Sequence, residues 1–218
     1  MTDNTLHKKI STNENDQTAN MQSYYKLHAA IYDLTRWSFL FGRIDLINRL
    51  PLEVPKPKIL EVGCGTGYNL SRIAKRFPDA QMIGVDVSDD MIAKSTQNLS
   101  AYKDRLTLLK QPYMKGDKTF NNSLDCVVFS YSLTMINPQW ADLILQAKED
   151  LKPGGLIAVT DFHDSRFEWF KQHMGNNHVR MDGHLTPLLR DHFEPVIDEE
   201  RSAYLGVWEY MIFVGRKK

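Results

Sequence analysis

Two hydrophobic periods alternate along the middle of the chain, between residues 58 and 162. Short apolar runs of the kind that form strands occupy residues 58–62, 81–87, 105–110, 124–133 and 155–162. Stretches whose apolar positions lie three and four apart, as in amphipathic helices, occupy residues 68–77, 89–99 and 138–151. Because the strands are apolar on both faces, the pattern predicts a parallel sheet covered by helices on each side, a doubly wound α/β fold.

The two ends of the chain depart from this alternation. Residues 1–20 are polar, which predicts a flexible tail. In residues 21–52 apolar and aromatic side chains follow the helical spacing, and we expect an N-terminal cap of two helices broken near residues 33–38. Residues 201–218 contain two strand-like runs around Gly206 with no helix between them. These runs predict an antiparallel hairpin at the edge of a mostly parallel, seven-stranded sheet.

Composition narrows the class of protein. Among the 218 residues, 27 Lys and Arg balance 27 Asp and Glu, so no overall field draws the chain to nucleic acid. Two cysteines, Cys64 and Cys126, are too few for a disulfide framework and fit a reducing compartment. The irregular spacing of His173, His178 and His184 does not predict a metal site. A signal-peptide pattern and runs of about 18 apolar residues are absent, so we expect a soluble cytoplasmic protein whose membrane contact is at most peripheral, at the inner face.

A glycine-rich stretch, "EVGCGTG" over residues 61–67, follows the first predicted strand. It is either a tight turn or a place where a ligand approaches the backbone at the carboxyl edge of the sheet. Gly67 follows Gly65 by two residues where a dinucleotide fingerprint has three, and the Gly-Lys-Ser/Thr of a phosphate-binding loop does not follow. Asp86, at the end of the second strand, is placed to accept hydrogen bonds from ribose hydroxyls. Together these residues favour an adenosine-containing ligand.

Four motifs in the expected order resemble the class I S-adenosylmethionine-dependent methyltransferases: "EVGCGTG" (61–67), "GVDVSDDMI" (84–92), "LDCVVFSYSL" (124–133) and "LKPGGLIAVTD" (151–161). The resemblance implies a cofactor-binding domain over residues 58–218, with S-adenosyl-L-methionine as donor and S-adenosyl-L-homocysteine as product. It assigns the methionine part of the cofactor to Glu61, Gly63 and Gly65, the ribose to Asp86, and the adenine to Val87 and Met91. The other residues that it places in the cofactor site are Cys64, Gly67, Gln111, Pro112, Tyr113 and Ser130.

The chain departs from the family pattern at the adenine edge. The family often has an aspartate after the third strand that binds the adenine amino group, whereas Pro112 stands about there. Gln111 or the backbone N–H of Tyr113 is the candidate substitute. Cys64 is interpreted as a small loop residue and not as a nucleophile, because no histidine neighbours it in sequence.

The acceptor side is predicted from position. Methyl transfer needs an acceptor that is held in place and shielded from water, and an amine must be neutral when it attacks. Tyr131 stands at the end of the fourth strand, and Asp161 and His163 stand at the end of the fifth. Aromatic faces near the methyl group would stabilise sulfonium and ammonium charge by cation–π attraction. We predict catalytic roles for Tyr131 and His163.

A narrower resemblance concerns the methyltransferases of betaine lipids, which trimethylate the amine of diacylglyceryl-homoserine. It rests on three stretches, "YYKLHAAIYDLTRWSFLFGR" (24–43), "FSYSLTMI" (129–136) and "NNHVRMDGHL" (176–185). It implies that Tyr24, Tyr32 and Arg36 close over the cofactor, with Tyr24 as a catalytic residue and Arg36 paired with the cofactor carboxylate.

The sequence leaves several functions open. The favoured function is N-methylation of a lipid headgroup amine, and the alternatives are methylation of a soluble small molecule and a catalytically silent S-adenosylmethionine-binding subunit. Transfer of the aminocarboxypropyl group would use the same cofactor. Methylation of nucleic acid is not expected, because "SYSL" after the fourth strand lacks the Asn-Pro-Pro-Tyr type of signature. No oligomeric state is predicted.

Overall fold

A seven-stranded sheet lies at the centre of the computed structural model, which describes residues 40–218. The strands are β1 Lys58–Val62, β2 Gln81–Asp86, β3 Leu106–Lys110, β4 Leu124–Ser130, β5 Leu151–Phe162, β6 Phe193–Ala203 and β7 Trp208–Lys217. Their spatial order is β3-β2-β1-β4-β5-β7-β6. β1 to β5 are parallel, and β7 lies antiparallel between β5 and β6. The predicted α/β fold with an antiparallel C-terminal pair is confirmed.

The helices of the described chain flank this sheet in the alternating order that the sequence predicts. They are α1 Arg43–Arg49, α2 Tyr68–Arg76, α3 Asp89–Asn98, α4 Trp140–Asp150, α5 Glu168–Gly175 and α6 Leu185–His192. Short 3-10 helices cover Ser100–Arg105, Leu133–Met135 and Tyr204–Gly206. Of the predicted N-terminal cap, α1 is described. The predicted tail, the first predicted helix and the break near residues 33–38 lie outside the described residues.

The core is thickest around β4, whose residues are all buried. Large side chains such as Phe129, Phe193 and Phe213 fill the space between the sheet and its helices. β3, in contrast, is the edge strand next to β2, and its residues are half-buried or exposed. The prediction of burial on both faces was therefore wrong for β3, because an edge strand has a neighbour on one side only.

The fourth strand ends three residues earlier than its apolar run predicts. Tyr131 adopts φ 53°, a left-handed conformation that cannot continue a strand. The turn that follows is fixed by the buried carboxylate of Asp161, which accepts hydrogen bonds from the N–H groups of Leu133 (2.9 Å) and Thr134 (3.3 Å). The hydrogen bonds from the turn after β4 to Asp161 in β5 therefore determine where β4 ends.

The first strand of the C-terminal pair begins at Phe193, eight residues before the predicted run at residue 201. β6 is the outer strand of the sheet and most of its side chains are half-buried or exposed, so it lacks the apolar run that marked the other strands. The helices α5 and α6 were not predicted either; His173 lies within α5, and His184 is the N-cap residue of α6.

Helix α1 is tied to β6 by a closed ring of four charged side chains. Arg49 contacts Asp45 at 3.1 Å and Glu199 at 2.6 Å, and Arg201 contacts Glu199 at 2.6 Å and Asp45 at 2.8 Å. Hydrogen bonds from Arg49 and then Arg201 lower the pKa of Glu199 to about 2. The ring holds α1, and with it the preceding Phe41, close to the carboxyl edge of the sheet.

Candidate active site

The glycine-rich loop joins β1 to α2 at the carboxyl edge of the sheet. Gly67 has φ 80° and precedes α2, and a Cβ on it would lie 2.6 Å from the side chains of both Leu99 and Ser95. The missing side chain of Gly67 thus lets the start of α2 pack closely against Ser95 and Leu99. This agrees with the interpretation of the loop as a tight turn. Gly63, with φ 71°, faces Ser132 across the loop, and a Cβ there would lie 3.1 Å from the Cβ of Ser132. Both glycines therefore allow close approach of neighbouring segments, Gly67 on the side of α3 and Gly63 on the side of Ser132.

Asp86 links the glycine loop to the second βα unit. Its Oδ2 accepts a hydrogen bond from the N–H of Gly65 at 2.9 Å, and its Oδ1 accepts one from the N–H of Ser88 at 3.0 Å. Both bonds orient the half-buried carboxylate, and each oxygen keeps further acceptor capacity for two ribose hydroxyls. Val87, the next residue, is 67% exposed, and Met91 lies half-buried in the first turn of α3. An apolar surface therefore adjoins the predicted ribose contact.

Buried polar atoms line the opposite side of the loop. Glu61 is 1% exposed and accepts a hydrogen bond from Asn69 Nδ2 at 2.7 Å. The hydroxyls of Ser130 and Ser132, at the end of β4, are buried and have no hydrogen-bond partner in the described chain. Since buried hydroxyls normally have partners, these two fit a site that a polar ligand completes. The sequence analysis missed Asn69 and Ser132, although Ser132 lies within the quoted "SYSL".

The predicted adenine edge is built from backbone more than from side chains. The N–H of Gln111 donates to the carbonyl of Asp86 at 3.1 Å, and Pro112 is exposed. The Tyr113 side chain is buried in the core, where its hydroxyl donates to Asp150 at 2.6 Å. Only the backbone of Tyr113 is thus left for the predicted contact with adenine.

Cys64 turns its thiol away from the ligand side of the loop. A Cβ on Gly84 in β2 would lie 2.9 Å from its Sγ, so the sulfur packs beneath the loop. Burial raises the pKa of the Cys64 thiol far above its usual value. The thiol is therefore unsuited to act as a nucleophile, in agreement with the sequence-based interpretation.

Tyr131 and Asp161 are held by structural contacts on the acceptor side. The Tyr131 hydroxyl donates to the carbonyl of Phe41 at 2.8 Å, and its ring meets Phe162 edge to face at 4.8 Å. Burial raises the pKa of Tyr131 well above its usual value. Asp161 is fully buried, with all its described hydrogen bonds directed to the Leu133–Met135 turn and to Phe162. Asp161 does not face an acceptor, and the catalytic role of Tyr131 stays a prediction.

His163 lies just beyond β5 with a partly exposed side chain. Its Nδ1 is 3.4 Å from Thr186 Oγ1 and its Nε2 is 3.5 Å from Glu200 Oε1. The backbone of Gly183 packs against its ring and donates to its carbonyl at 2.8 Å. Its predicted role as a base stays a prediction. Three further predicted residues, Tyr24, Tyr32 and Arg36, lie outside the described residues.

Known methyltransferases are similar to this chain in the region that contains the glycine-rich loop and Asp86. Residues 59–155 match the family model of the methyltransferase domain. Trans-aconitate 2-methyltransferase of Deinococcus radiodurans is 33% identical over 116 residues, which are 53% of this chain and 41% of that protein. Malonyl-[acyl-carrier protein] O-methyltransferase of Dechloromonas aromatica is 29% identical over 127 residues, 57% of this chain and 43% of that protein. The matches thus span less than half of the length of these curated relatives.

The match of residues 59–155 to a methyltransferase domain supports the resemblance to the class I S-adenosylmethionine-dependent methyltransferases. A solved structure agrees on the fold: 1,6-didemethyltoxoflavin-N1-methyltransferase of Burkholderia thailandensis, crystallised with S-adenosylhomocysteine, superposes with a TM-score of 0.66 at 16% identity. That superposition covers 94% of this chain and 90% of the other. The sequence resemblance to class I methyltransferases is confirmed at this level.

The residues of this methyltransferase domain fit S-adenosylmethionine as its cofactor. The buried hydroxyls of Ser130 and Ser132, which have no partner in the described chain, lie beside Gly63 at the end where the methionine part would lie. Asp86 offers two oriented oxygens to the ribose. When bound, the cofactor supplies an electrophilic methyl group on a sulfonium.

Residues 40–218 show neither a grouped set of metal ligands nor a helix that could span a membrane. No three His, Cys, Asp or Glu side chains there are grouped to hold a metal ion. None of the helices in that part of the chain has the length and apolar character needed to cross a bilayer.

Proposed function

We propose that this methyltransferase domain transfers methyl groups from S-adenosylmethionine to the amine of a lipid headgroup of the diacylglyceryl-homoserine type. The donor follows from the domain family, whereas the acceptor is the proposal. The observation that supports a lipid acceptor is an exposed apolar patch at the carboxyl edge of the sheet, formed by Phe41, Trp169, Tyr204 and Leu205.

The exposed patch lies on the side of the sheet where the cofactor loop stands. Phe41 and Tyr204 meet edge to face at 5.4 Å, and Leu205, at the tip of the β6–β7 turn, is fully exposed. Arg166 lies beside Gly206 of the same turn and over Phe167, which leads to Trp169 at 62% exposure. Because Phe162 at the end of β5 pairs with Tyr210 near the start of β7, this turn projects from the carboxyl edge.

The side chains of the exposed patch and the neighbouring Arg166 are of the types that bind at the interface of a bilayer. Trp and Tyr prefer the headgroup level, leucine inserts into the acyl region, and arginine reaches lipid phosphates. Large apolar side chains that are exposed together mark an interaction site more often than chance. Peripheral contact through the exposed patch would bring a lipid headgroup to the acceptor side without a spanning helix.

Transfer to an amine requires a lone pair on nitrogen. The new N–C bond forms as the C–S bond breaks, the electron pair passes to sulfur, and one proton leaves nitrogen for each methyl group added. His163, partly exposed beyond β5, is the proposed proton acceptor. The aromatic pair of Tyr131 and Phe162 is the proposed surface for cationic intermediates.

Labelled cofactor tests the acceptor class directly. The protein is incubated with S-adenosylmethionine labelled in the methyl group, once with a lipid extract and once with a pool of soluble metabolites. We expect label in the organic phase, in a product whose mass rises by one to three methyl groups. Label confined to water-soluble products would contradict the lipid acceptor. Cofactor binding without turnover on either pool would favour a silent binding subunit.

A soluble carboxylic acid is the second candidate acceptor. The curated relatives that the domain resembles are named for trans-aconitate and for malonyl-[acyl-carrier protein], both of which carry carboxylates. Label in the soluble pool that mild base releases as methanol would identify a methyl ester and hence this class, whereas a methylated amine resists the same treatment.

Replacement of Leu205 by serine tests the exposed patch. We expect the partition coefficient onto phosphatidylcholine vesicles to fall about tenfold, because transferring one leucine side chain from water is worth about 1.5–3 kcal/mol. Co-sedimentation with the vesicles measures it, and the effect should persist at high salt because apolar insertion is not screened. Val196→Ser, which changes a 44% exposed side chain elsewhere on β6, is the control. Equal binding of both variants would contradict a membrane role for the patch.

A further inference from the structure

A groove of about 520 Å³ lies on the acceptor side of the domain and is called the acceptor groove below. Its walls carry apolar side chains such as Met135 and charged ones from two segments, Lys171 on α5 and Arg180 and Asp182 in the segment before α6. Neither the family resemblance nor the comparisons assign a role to it.

The acceptor groove begins one short helical turn from the glycine loop. Ser132 faces Gly63, and the 3-10 helix Leu133–Met135 follows it directly. At about 2 Å of rise per residue, Met135 in the groove wall stands roughly 6 Å along the chain axis from Ser132. The N–H of Arg180 donates to the carbonyl of Thr134 at 3.0 Å, which fixes the other wall to the same turn.

Arg180 is held in a fixed orientation by two further side chains. Its Nε donates to Asp182 Oδ2 at 2.8 Å, and its Nη2 contacts the same oxygen at 2.8 Å. Asp182 Oδ1 in turn contacts Nδ1 of His184 at 2.5 Å. The guanidinium carbon lies 6.0 Å from the centre of the Trp140 ring, which also meets His184 edge to face at 4.7 Å.

The buried His184 contacts Asp182, which in turn contacts Arg180. Its side chain is only 6% exposed, and its Nε2 has no hydrogen-bond partner in the described chain. Burial lowers the pKa of His184, so the ring is neutral at pH 7 and its Nδ1–H donates to Asp182. Asp182 therefore stays available to orient Arg180, whose own side chain is 47% exposed.

The described contacts of the guanidinium with Asp182 use Nε and Nη2, which leaves the Nη1–Nη2 edge for a second partner. A planar edge of paired N–H donors matches a carboxylate in bidentate geometry. Lys171, which also lines the groove, is paired with Asp164 at 2.7 Å and lies 3.7 Å from Glu168, so the free guanidinium edge of Arg180 carries the argument. An arginine whose rotamers are restricted in advance loses less entropy when an anion binds.

We propose that Arg180 binds the carboxylate of the methyl acceptor in the acceptor groove, with Asp182 and His184 as positioning residues. The inference rests on the proposed function, because it names the part of that acceptor that the domain recognises. In a homoserine headgroup the carboxylate and the amine share one carbon, so binding the carboxylate sets the distance of the amine from the methyl group.

The test compares one ligand pair in several variants. The probes are dihexanoylglyceryl-homoserine and its carboxamide, whose affinities are measured by calorimetry in the presence of S-adenosylhomocysteine. We expect the carboxylate form to bind the unaltered protein at least tenfold more tightly, and Arg180→Gln to remove this preference. Arg180→Lys should keep part of it, since a lysine keeps the charge and loses the planar edge. Arg216→Gln, at the far end of β7, is the control and should change neither affinity.

The positioning residues have their own readout. His184→Ala should raise KM for the carboxylate probe more than it lowers kcat, and His184→Asn, whose amide N–H replaces the Nδ1 donor, should restore KM. Cofactor affinity should be the same in both variants.

The outcomes separate the inference from the proposed function. A carboxylate preference that depends on Arg180, without methylation of the probe, would leave the inference standing and refute the lipid acceptor. Methylation with the same KM in Arg180→Gln would leave the proposed function standing and refute the inference. Failure of the carboxylate probe to bind the unaltered protein would also refute it.

Discussion

Asp86→Ala is expected to weaken binding of S-adenosylhomocysteine about 100-fold, as measured by isothermal titration calorimetry. The carboxylate of Asp86 is oriented by the N–H groups of Gly65 and Ser88 and is proposed to accept two ribose hydroxyls. A hydrogen bond to a charged group contributes about 1.5–3 kcal/mol, and each 1.4 kcal/mol changes an affinity about tenfold. Loss of the two ribose contacts therefore accounts for two orders of magnitude.

The ribose contact can be separated from a shift of the glycine loop by a second ligand. The unaltered protein should prefer S-adenosylhomocysteine over its 2′-deoxy form, and Asp86→Ala should bind the two forms alike. Asp104→Ala, in the Ser100–Arg105 3-10 helix, provides a matched carboxylate deletion at an exposed position and should keep the preference. A ribose preference that survives in Asp86→Ala would show that another residue binds the hydroxyls.

Asp161→Ala is expected to lower the free energy of unfolding by about 3–5 kcal/mol, because it removes the acceptor of several buried donors. These donors are the N–H groups of Leu133, Thr134 and Phe162 and the hydroxyl of Thr134. Urea denaturation at pH 7.5, followed by circular dichroism, measures the change. Asp117→Ala removes a carboxylate that accepts two bonds from Thr119 at the surface, and it should cost about 1 kcal/mol or less.

The same buried carboxylate predicts a dependence of stability on pH. Burial raises the pKa of Asp161 from 3.8 to about 6, so the folded state binds the proton more tightly than the unfolded chain. The resulting stabilisation is complete below pH 3.8 and is lost as the pH rises through 6. Between pH 3.5 and 7 the unaltered protein should lose about 3 kcal/mol relative to Asp161→Asn, since each pKa unit corresponds to about 1.4 kcal/mol. Parallel curves for the two proteins would contradict this assignment.

Local pattern was sufficient for the parts of the fold that repeat. Each βα unit between β1 and β5 has its own change of hydrophobic period, and the observed strands and helices begin within a few residues of the predicted ones. The glycine loop and Asp86 could be found because both stand directly at strand ends, where a parallel sheet collects its ligands. The structure adds a direct contact between them that the sequence did not predict, the hydrogen bond from the N–H of Gly65 to Asp86.

Long-range contacts decided what local pattern did not. Asp161 looked like an acceptor-side residue because it ends an apolar run, yet its carboxylate fixes a turn 27 to 28 residues away in sequence. Tyr131 lies within the predicted fourth strand, but its left-handed backbone conformation ends β4. Its hydroxyl donates a hydrogen bond to the carbonyl of Phe41. Neither contact leaves a periodic signal, because each depends on one side chain meeting one backbone group.

The amino-acid sequence by itself determined the order of the elements from β1 to β5 and the position of the glycine loop, because these follow from periodicity and spacing within about 30 residues, the length of one βα unit. The class of methyl donor was implied by the resemblance of four motifs to class I methyltransferases. Only the tertiary structure assembled the exposed patch from Phe41, Trp169, Tyr204 and Leu205, and oriented Arg180 over Trp140. Those surfaces join segments from distant parts of the chain, and their geometry is set by how the helices and the β6–β7 turn pack at the carboxyl edge of the sheet.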